Sequence, residues 1–543
     1  MNNLYIFAIG GSGERIMRSF IMLLAAGVKL GANRVVPIFV DNDAKSKALT
    51  RCRKLINYYN ACSNKGGKIG IGTVCQQLGE SNRPSFFQTP IEEPILLDIA
   101  GDTIGDLKTI IGKNLTSYNQ IQKDIIEERD LLFSEDDLSM KLTVGFVGNP
   151  NIGSVVLNTL SFSDPKFADI LNNAGPGDGV MVVGSLFGGT GAAGFPLIVN
   201  NFMRSDSNRP TIGGVAVLPY FDFGAEDQHD NNEKIIDTKK WDVSSDTFSV
   251  KTRAALMYYD DYMKDMDFMY YVGDDNRSVY PHYVGGEKQD NPVHLVELLG
   301  AMSIVDFSKQ RNQDNIVYKQ PIWGITEKDN NPTICNISSI KDKNIKHALI
   351  KFQLMREYFI NKGDGFLAHA IANRSATTKD IGFTEIMRTA CVGERLDKVY
   401  KDENDMSNVV DTETTQFPYA WGLNAFFKEW VTWFEDLSGK DARRTFTIFP
   451  NTAKDIDQNN VTQKFFSENK FGIATTEQRR EGGFFGFGGQ LKEVGKYPDI
   501  ATSILKAHNK NKWSNVPEEK KLAALLKTVS DGLDEVINNT CAL

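Results

Sequence analysis

The stretch that most constrains the fold of this chain runs from residue 179 to 203. It opens with the apolar run of a buried strand, Val180 to Val183, and then breaks at Gly188, Gly189, Thr190 and Gly191. Apolar residues then recur at helical spacing, at Phe195, Val199 and Phe202. Glycines let a backbone approach an anion closely, and the first amides of a helix attract negative charge. The stretch therefore predicts a strand, a glycine loop and a helix that bind phosphate, with the Thr190 hydroxyl as a further donor.

A second unit of the same kind begins the chain. Leu4 to Ile9 indicates a buried strand, and a helix with apolar residues on one face follows the loop of Gly10, Gly11, Ser12 and Gly13. As a dinucleotide fingerprint the loop is imperfect, because G-x-G-x-x-G counted from Gly11 would need glycine where Ile16 stands. Taken alone, the loop is either a phosphate loop or only a tight turn.

Polar residues also follow three further predicted strands. Val35 to Val40 ends in Asp41, Asn42 and Asp43, whose carboxylates can meet ribose hydroxyls or the water around a metal ion. The alternative is that Asp43 only caps a helix that starts at Ala44. Leu142 to Val147 runs into Gly148 and Asn149, and Ile212 to Leu218 breaks at Pro219. Because the carboxyl ends of parallel strands share one edge of a sheet, these loops are expected to form a single site.

Composition sets the class of protein. A chain of 543 residues is too long for one compact core, so two or three domains are expected. The net charge of −8 argues against nucleic acid as the main partner. No apolar run reaches the roughly 18 residues that span a membrane, and no secretory signal is evident. The six cysteines lack C-x-x-C spacing, which favours free thiols and a cytoplasmic location over zinc ligands or disulfides.

The loops, in this order, resemble those of the tubulin/FtsZ superfamily of nucleotide-dependent filament proteins. Phe187 to Ala193 resembles the GGGTGSG signature, with Phe187 in place of the first glycine, and Gly10 to Gly13 resembles the first loop. Three further segments match in order, namely Val40 to Ala44 (like N-T-D-A), Asn149 to Gly153 (like D-P-E-V-G) and Val217 to Phe221. The match covers about residues 4 to 225, and the size of the insertion in it suggests a divergent bacterial tubulin-like protein.

This resemblance implies a fold and an organisation. The expected class is α/β, with a Rossmann-like doubly wound parallel sheet, a central helix and a second α+β domain with helical additions. The expected nucleotide-binding domain covers residues 1–290 with an insertion at about 45–141. The central helix covers 291–308, and the C-terminal domain covers 309–543.

The resemblance also implies ligands. GTP or GDP would bind with its phosphates on the loops Gly10–Gly13 and Gly188–Gly191, and Mg²⁺ would lie near Asp41 or Asp43 without being held tightly by protein alone. Asn291 is the candidate for a base contact; the alternative is a helix cap followed by proline at the first helical position. The acidic N-x-D-x-x-D loop of the family is absent. Glu297, Asp306 and residues 327–331 are the carboxylates available in its place, and no catalytic residue is assigned.

The second half of the chain differs in composition. Residues 419–437 are crowded with aromatic side chains, which are either core or a contact surface, with core favoured. The glycines of residues 482–489 are expected to follow no strand and so to form no phosphate site.

Three functional hypotheses follow. The first is a GTP-binding protein that assembles head to tail with itself into filaments and hydrolyses GTP on assembly. The second is a guanine-nucleotide-binding scaffold or sensor that neither polymerises nor turns over. The third is a Rossmann-type oxidoreductase, which the imperfect G-x-G-x-x-G disfavours.

Overall fold

The computed structural model describes most of the N-terminal half of the chain and selected segments of the rest. The described residues are 1–41, 43, 46–62, 85–97, 106–112, 120–139, 142, 146, 148–158, 164–203, 209–223, 245–275, 277–281, 289–321, 343–360, 421–438, 475–481, 490–496, 503–504, 506–507, 510 and 521–540. The chain divides into two compact units. Unit 1 comprises residues 1–20, 30–56 and 91–322, and unit 2 comprises residues 21–29, 57–90 and 323–543. The boundaries predicted from the sequence stay a prediction.

Unit 1 is built on a parallel sheet. In the described part of the chain its strands are β1 (Asn3–Ile9), β2 (Arg34–Val40), β3 (Ile95–Leu97), β4 (Gly179–Ser185), β5 (Thr211–Val217), β7 (Phe268–Val272) and β9 (Val317–Lys319). Two further strands, β6 (Phe221–Phe223) and β8 (Ser278–Tyr280), pair with each other. The strand order is β3-β2-β1-β4-β5-β7-β9, and every pair in it is parallel. This is the order of a doubly wound α/β sheet, which confirms the predicted fold class for this unit.

The strands form where the sequence has continuous apolar runs. All seven residues of β4 are buried, as are the last six of β1. A parallel sheet covered by helices on both faces requires such runs rather than alternation. The strand predicted at 142–147 lies mostly outside the described residues; Leu142 and Phe146 are buried but belong to no strand.

Helices connect these strands. They are α1 (Gly10–Ala25), α2 (Lys47–Cys62), α3 (Leu107–Gly112), α4 (Gln120–Leu132), α5 (Glu135–Leu138), α6 (Pro150–Asn158), α7 (Pro165–Asn173), α8 (Gly189–Met203), α9 (Phe248–Tyr262) and α10 (Leu295–Phe307). Both glycine loops are wound into the first turn of the helix that follows, since α1 begins at Gly10 and α8 at Gly189. No helix of the described residues is long and apolar enough to cross a membrane.

Two predicted helix caps are wrong. The alternative for Asn291 was a cap, but α10 begins at Leu295, and the His294 ring accepts from the Val296 amide at 3.2 Å instead. The alternative for Asp43 was a cap on a helix starting at residue 44, but α2 begins at Lys47. There the Ser46 hydroxyl accepts the amide of Leu49 at 3.3 Å. In both cases a nearer side chain takes the amide, which leaves Asp43 and Asn291 outside the helices.

Unit 2 has a helical and aromatic core. Its described elements are α11 (Lys343–Ile360), α12 (Trp421–Ser438), α13 (Lys521–Thr540) and an antiparallel hairpin of β10 (Thr475–Glu481) and β11 (Gln490–Lys496). The aromatic side chains of α12 that the structure describes are buried, namely Phe426, Phe427, Trp430, Trp433 and Phe434. The preference for core over contact surface in this segment is thereby confirmed for those residues.

One prediction about unit 2 is wrong. The glycines of residues 482–489 directly follow β10, whereas the sequence was expected to place no strand before them. Because the residues of β10 are polar, its sequence contains no apolar run that would predict a strand. The loop itself lies outside the described residues.

Candidate functional site

The two glycine loops lie at the centre of the sheet. β1 and β4 are neighbours, with Leu4 opposite Gly179 and Ala8 opposite Val183. The chain winds outward from β1 in one direction and from β4 in the other, so the carboxyl ends of these strands form the topological switch point. In open α/β sheets ligands bind in the crevice at that point.

The first two loops touch each other. A β-carbon built on Gly10 would lie 3.4 Å from the β-carbon of Thr190 and 3.7 Å from the amide nitrogen of Gly191. Gly10 has φ +63°, a left-handed conformation that favours glycine. The predicted meeting of these two loops is therefore present in the structure.

The third loop adjoins the second. A β-carbon on Gly189 would lie 3.0 Å from the amide nitrogen of Asn149 and 3.2 Å from that of Gly148. The Asn149 side chain accepts the Asn151 amide at 3.1 Å and so caps the start of α6. The first turns of α1, α6 and α8 are thereby brought together. Because Asn149 accepts the Asn151 and Ile152 amides of α6, the first amides of α1 and α8 are the ones that make this place suited to an anion.

The glycines of these loops have two different roles. β-carbons on Gly13 and Gly191 would lie 2.7 Å from the Val183 carbonyl and 2.6 Å from the Ser185 carbonyl, respectively. These two glycines let α1 and α8 pack against the strands. Gly11, in contrast, is exposed, and a β-carbon there would meet nothing within 4 Å. Gly11 is thus the glycine that borders open space.

The remaining predicted phosphate residues differ in exposure. Thr190 is buried, with 9% of its surface exposed. Ser12, Gly188 and Asn149 are half-buried at the same edge. These positions leave Gly11 and Ser12 as the part of the first loop that a ligand reaches most readily.

A carboxyl group that the sequence analysis missed lies directly after the first loop. Glu14 is wholly buried; its Oε2 accepts the Ser46 hydroxyl at 2.9 Å, and its Oε1 has no hydrogen-bond partner. Burial raises the pKa of Glu14 well above its usual value, and the nearby Asp41 and Asp43 raise it further, against the hydrogen bond from Ser46. Three acidic side chains therefore share one end of the site.

Asp41 and Asp43 form a tight turn at the end of β2. The Asp43 amide donates to Asp41 Oδ1 at 3.0 Å. Within the described residues, no three side chains of His, Cys, Asp or Glu are placed to hold a metal ion by themselves. A Mg²⁺ ion at this turn would need ligand oxygens from a bound phosphate as well.

Asn291 is tied to α1 through Arg15. The Arg15 guanidinium donates to the carbonyls of Asn291 at 3.1 Å and Pro292 at 2.7 Å, and to the Glu297 carboxylate at 2.7 Å. Burial, the largest single effect, would lower the pKa of Arg15, but Glu297, Tyr220 and Tyr280 together outweigh it, and the net shift is upward. A permanent cation therefore fixes the segment before α10 to the helix of the first loop.

Lys251 is a second basic residue that the sequence analysis missed. Its ammonium donates to the Gly148 carbonyl at 2.7 Å, and partial burial lowers its pKa. Nothing in its local sequence distinguishes it from other lysines, because the fold brings it to the third loop from 103 residues away. It adds a positive charge beside the loops.

The suggested hydrolytic carboxylates are engaged elsewhere. Glu297 is held by Arg15 and lies 3.4 Å from the Tyr220 hydroxyl, and Asp306 accepts the Tyr270 hydroxyl at 2.6 Å. Residues 327–331 lie outside the described residues. The described part of the site has helix N-terminal amides and the Thr190 hydroxyl, which are groups suited to an anion, and we assign no catalytic residue to it.

No family model and no curated protein matches the chain. Among solved structures, the chain is similar to CetZ2 from Haloferax volcanii in a GTPγS-bound protofilament, at 13% sequence identity and a TM-score of 0.26. The match covers 57% of this chain and 58% of that chain, so it spans a little over half the length of the structure it matches. At this TM-score the likeness adds nothing to the fold and site described above, which rest on the geometry of the chain itself.

Proposed function

We propose that this chain is a guanine-nucleotide-binding protein of the tubulin/FtsZ type, a divergent bacterial member that assembles head to tail in the cytoplasm. In this proposal the nucleotide lies at the subunit interface and GTP is hydrolysed on assembly. The observation that carries the binding part is the contact of the Gly10 loop with Thr190 at the switch point of the sheet. The choice of guanine nucleotide and of filaments rests on the order of the loop motifs along the sequence.

In this proposal, different residues would contact the phosphates, the ribose and the base of the nucleotide. The first turns of α1 and α8 would bind the phosphates through their amides, with the Thr190 hydroxyl donating as well and Gly148 and Asn149 lying beside them. Gly11 and Ser12 would lie against the phosphates, because they border the open side of the loop. Asp41 and Asp43 would contact the ribose or the water around Mg²⁺, and Asn291 the base.

A second candidate is a nucleotide-binding scaffold or sensor with little or no hydrolysis. The observation that favours it is the engagement of Glu297 and Asp306 in internal contacts. Glu297 is buried, and Asp306 accepts from Tyr270 and Lys319, so both carboxylates have structural partners in this arrangement.

The identity of the nucleotide that co-purifies with the protein tests the binding proposal. After the protein is denatured, chromatography is expected to release GDP or GTP in near-stoichiometric amount. Adenine nucleotide, NAD(P) or flavin in its place would contradict the proposal.

Sedimentation with and without GTP separates the two candidates. Assembly predicts a pelleted fraction that depends on GTP and phosphate release that rises with protein concentration. Tight binding without pelleting or phosphate release at any protein concentration would favour the scaffold.

A further inference from the structure

A small cavity lies at the edge of the sheet in unit 1, between α9 and the strands β7 and β9. Its volume is about 150 Å³. An engineered cavity of that size takes a group as large as benzene. β9 stands last in the strand order, so the cavity opens at the sheet margin rather than at the switch point.

Tyrosine and methionine residues make up much of the cavity lining. Tyr259, Tyr271 and Tyr318 contribute rings, and Met263 and Met269 contribute thioethers. The rings of Tyr271 and Tyr318 are stacked, with centroids 6.2 Å apart and planes 13° apart. Tyrosine faces attract cations, and methionine adapts to irregular shapes. More of the exposed wall is polar than apolar, so the lining suits an organic cation whose charged head meets these polar groups.

Among the described residues, one polar group of the lining is buried without a partner and another is an exposed carboxylate. Tyr259 is 4% exposed, and its buried hydroxyl makes no hydrogen bond. A buried hydroxyl in that condition is costly, and it indicates a missing partner. Asp260 supplies an exposed carboxylate at the same cavity. The Asp260 carboxylate acts electrostatically on Tyr271 in the lining. Burial, then Tyr318 and then Asp260 raise the pKa of Tyr271 to about 12.

Large apolar side chains are exposed at Tyr318, which lines the cavity, and elsewhere along α9. Met257 is 66% exposed, Tyr262 59% and Tyr318 54%. Tyr258 stacks on Tyr262 with ring centroids 4.5 Å apart. Exposed apolar side chains of this kind mark a protein contact where they are contiguous.

We propose that the cavity is a binding site for an arginine side chain presented by a protein partner. The methylene stem would pack against the methionines, and the planar guanidinium would stack on the tyrosine faces and donate to the Asp260 carboxylate. A guanidinium combines both properties, whereas a lysine ammonium is a compact and strongly hydrated charge. The site is separate from the nucleotide loops, and its role does not depend on them.

Titration of the full-length protein with two blocked amino acids, followed by ligand-observed NMR, tests the proposal. N-acetyl-arginine methylamide is expected to bind in the millimolar range, and the neutral isostere N-acetyl-citrulline methylamide at least about fivefold more weakly. Asp260→Asn is expected to abolish the difference between the two probes. Asp261→Asn, which changes the neighbouring exposed carboxylate outside the lining, is expected to preserve it.

Four outcomes would overturn the proposal. One is equal binding of the two probes to the unchanged protein, and a second is Asp260→Asn binding the arginine probe as the unchanged protein does. The third is agmatine binding about tenfold or more tightly than the blocked arginine, because a free amine would then be the occupant. Met263→Trp, which fills the cavity, is expected to abolish binding of the arginine probe, and persistent binding to a folded Met263→Trp would place the probe elsewhere.

Discussion

The Arg15 guanidinium and the Glu297 carboxylate form a buried pair, with Nε donating to Oε1 at 2.7 Å. The side chains are 16% and 1% exposed, and the two residues are 282 positions apart. The same guanidinium binds the carbonyls of Asn291 and Pro292, so α1, which begins on the first glycine loop, is joined to the segment that carries the proposed base contact.

Arg15→Met is expected to lower the free energy of unfolding of unit 1 by about 3–5 kcal/mol, because it removes the ion-pair partner of the buried Glu297 carboxylate. The shift of the denaturation midpoint measures this. Arg34→Met is the matched control, since Arg34 and Glu92 form an exposed pair 3.4 Å apart, expected to contribute at most about 1 kcal/mol. The double variant Arg15→Met/Glu297→Leu is expected to recover much of the loss, and equal destabilisation by the Arg15 and Arg34 changes would contradict the assignment.

Two glycines of the first loop should respond oppositely to the same substitution. Gly13→Ala places a β-carbon 2.7 Å from the Val183 carbonyl, and overpacking of this kind costs about 1–3 kcal/mol or more. Gly11→Ala meets no atom of the described residues within 4 Å and, in the first turn of α1, gains at most about 1 kcal/mol of helix propensity. We therefore expect thermal unfolding to show a stable Gly11→Ala and a destabilised Gly13→Ala.

The GTP affinity of the Gly11→Ala variant then tests where the phosphates lie, because this variant is expected to fold stably. If phosphate lies against Gly11, the stable Gly11→Ala variant is expected to bind GTP about tenfold or more weakly by calorimetry, since a methyl group occupies the space. Unchanged affinity in this folded variant would place the phosphates elsewhere.

The Thr190 hydroxyl is tested by a pair of substitutions. Thr190→Val keeps the branched shape and removes the donor, so GTP affinity is expected to fall by about 10- to 100-fold, the value of a hydrogen bond to a charged group. Thr190→Ser keeps the hydroxyl and is expected to bind within about threefold of the unchanged protein. The double change Gly189→Ala/Thr190→Ala is a poorer test, because a β-carbon on Gly189 would lie 2.9 Å from that of Phe146. Similar affinities for the valine and serine variants would exclude the hydroxyl from the site.

The central strands were predictable because each is a local apolar run followed by glycine or polar residues. β3 and β9 were not, since each has three residues and is defined only by pairing with β2 or β7. Period and composition cannot identify a strand so short.

The loops of the site were likewise predictable, whereas the charges around them were not. Gly10 and Thr190 each belong to a strand–glycine–helix pattern readable within about 20 residues. Arg15 and Lys251 acquire their roles from groups 282 and 103 residues away, and their own neighbourhoods in the sequence do not distinguish them. Glu14 was missed for the same reason: its burial and its acidic neighbours come from β2 and the turn before α2.

The ionisation of Glu14 is expected to make the stability of the folded protein depend on pH. Its pKa in the folded protein lies well above the ordinary 4.5 because of burial and then Asp41 and Asp43. The folded state therefore binds a proton more tightly than the unfolded state, so this group's contribution to stability is fully present below about pH 4.5 and is lost as the pH rises towards the folded pKa.

Glu14→Gln cannot ionise, so it is expected to raise the unfolding midpoint of the nucleotide-free protein at pH 8 and to change it little at pH 4.5. Thermal unfolding across that range is the measurement, with Glu93→Gln at an exposed position as the control that stays level with the unchanged protein. A midpoint difference between Glu14→Gln and the unchanged protein that stays constant over the whole range would show that Glu14 ionises equally in both states, and the burial of this carboxyl beside Asp41 and Asp43 would then be wrong.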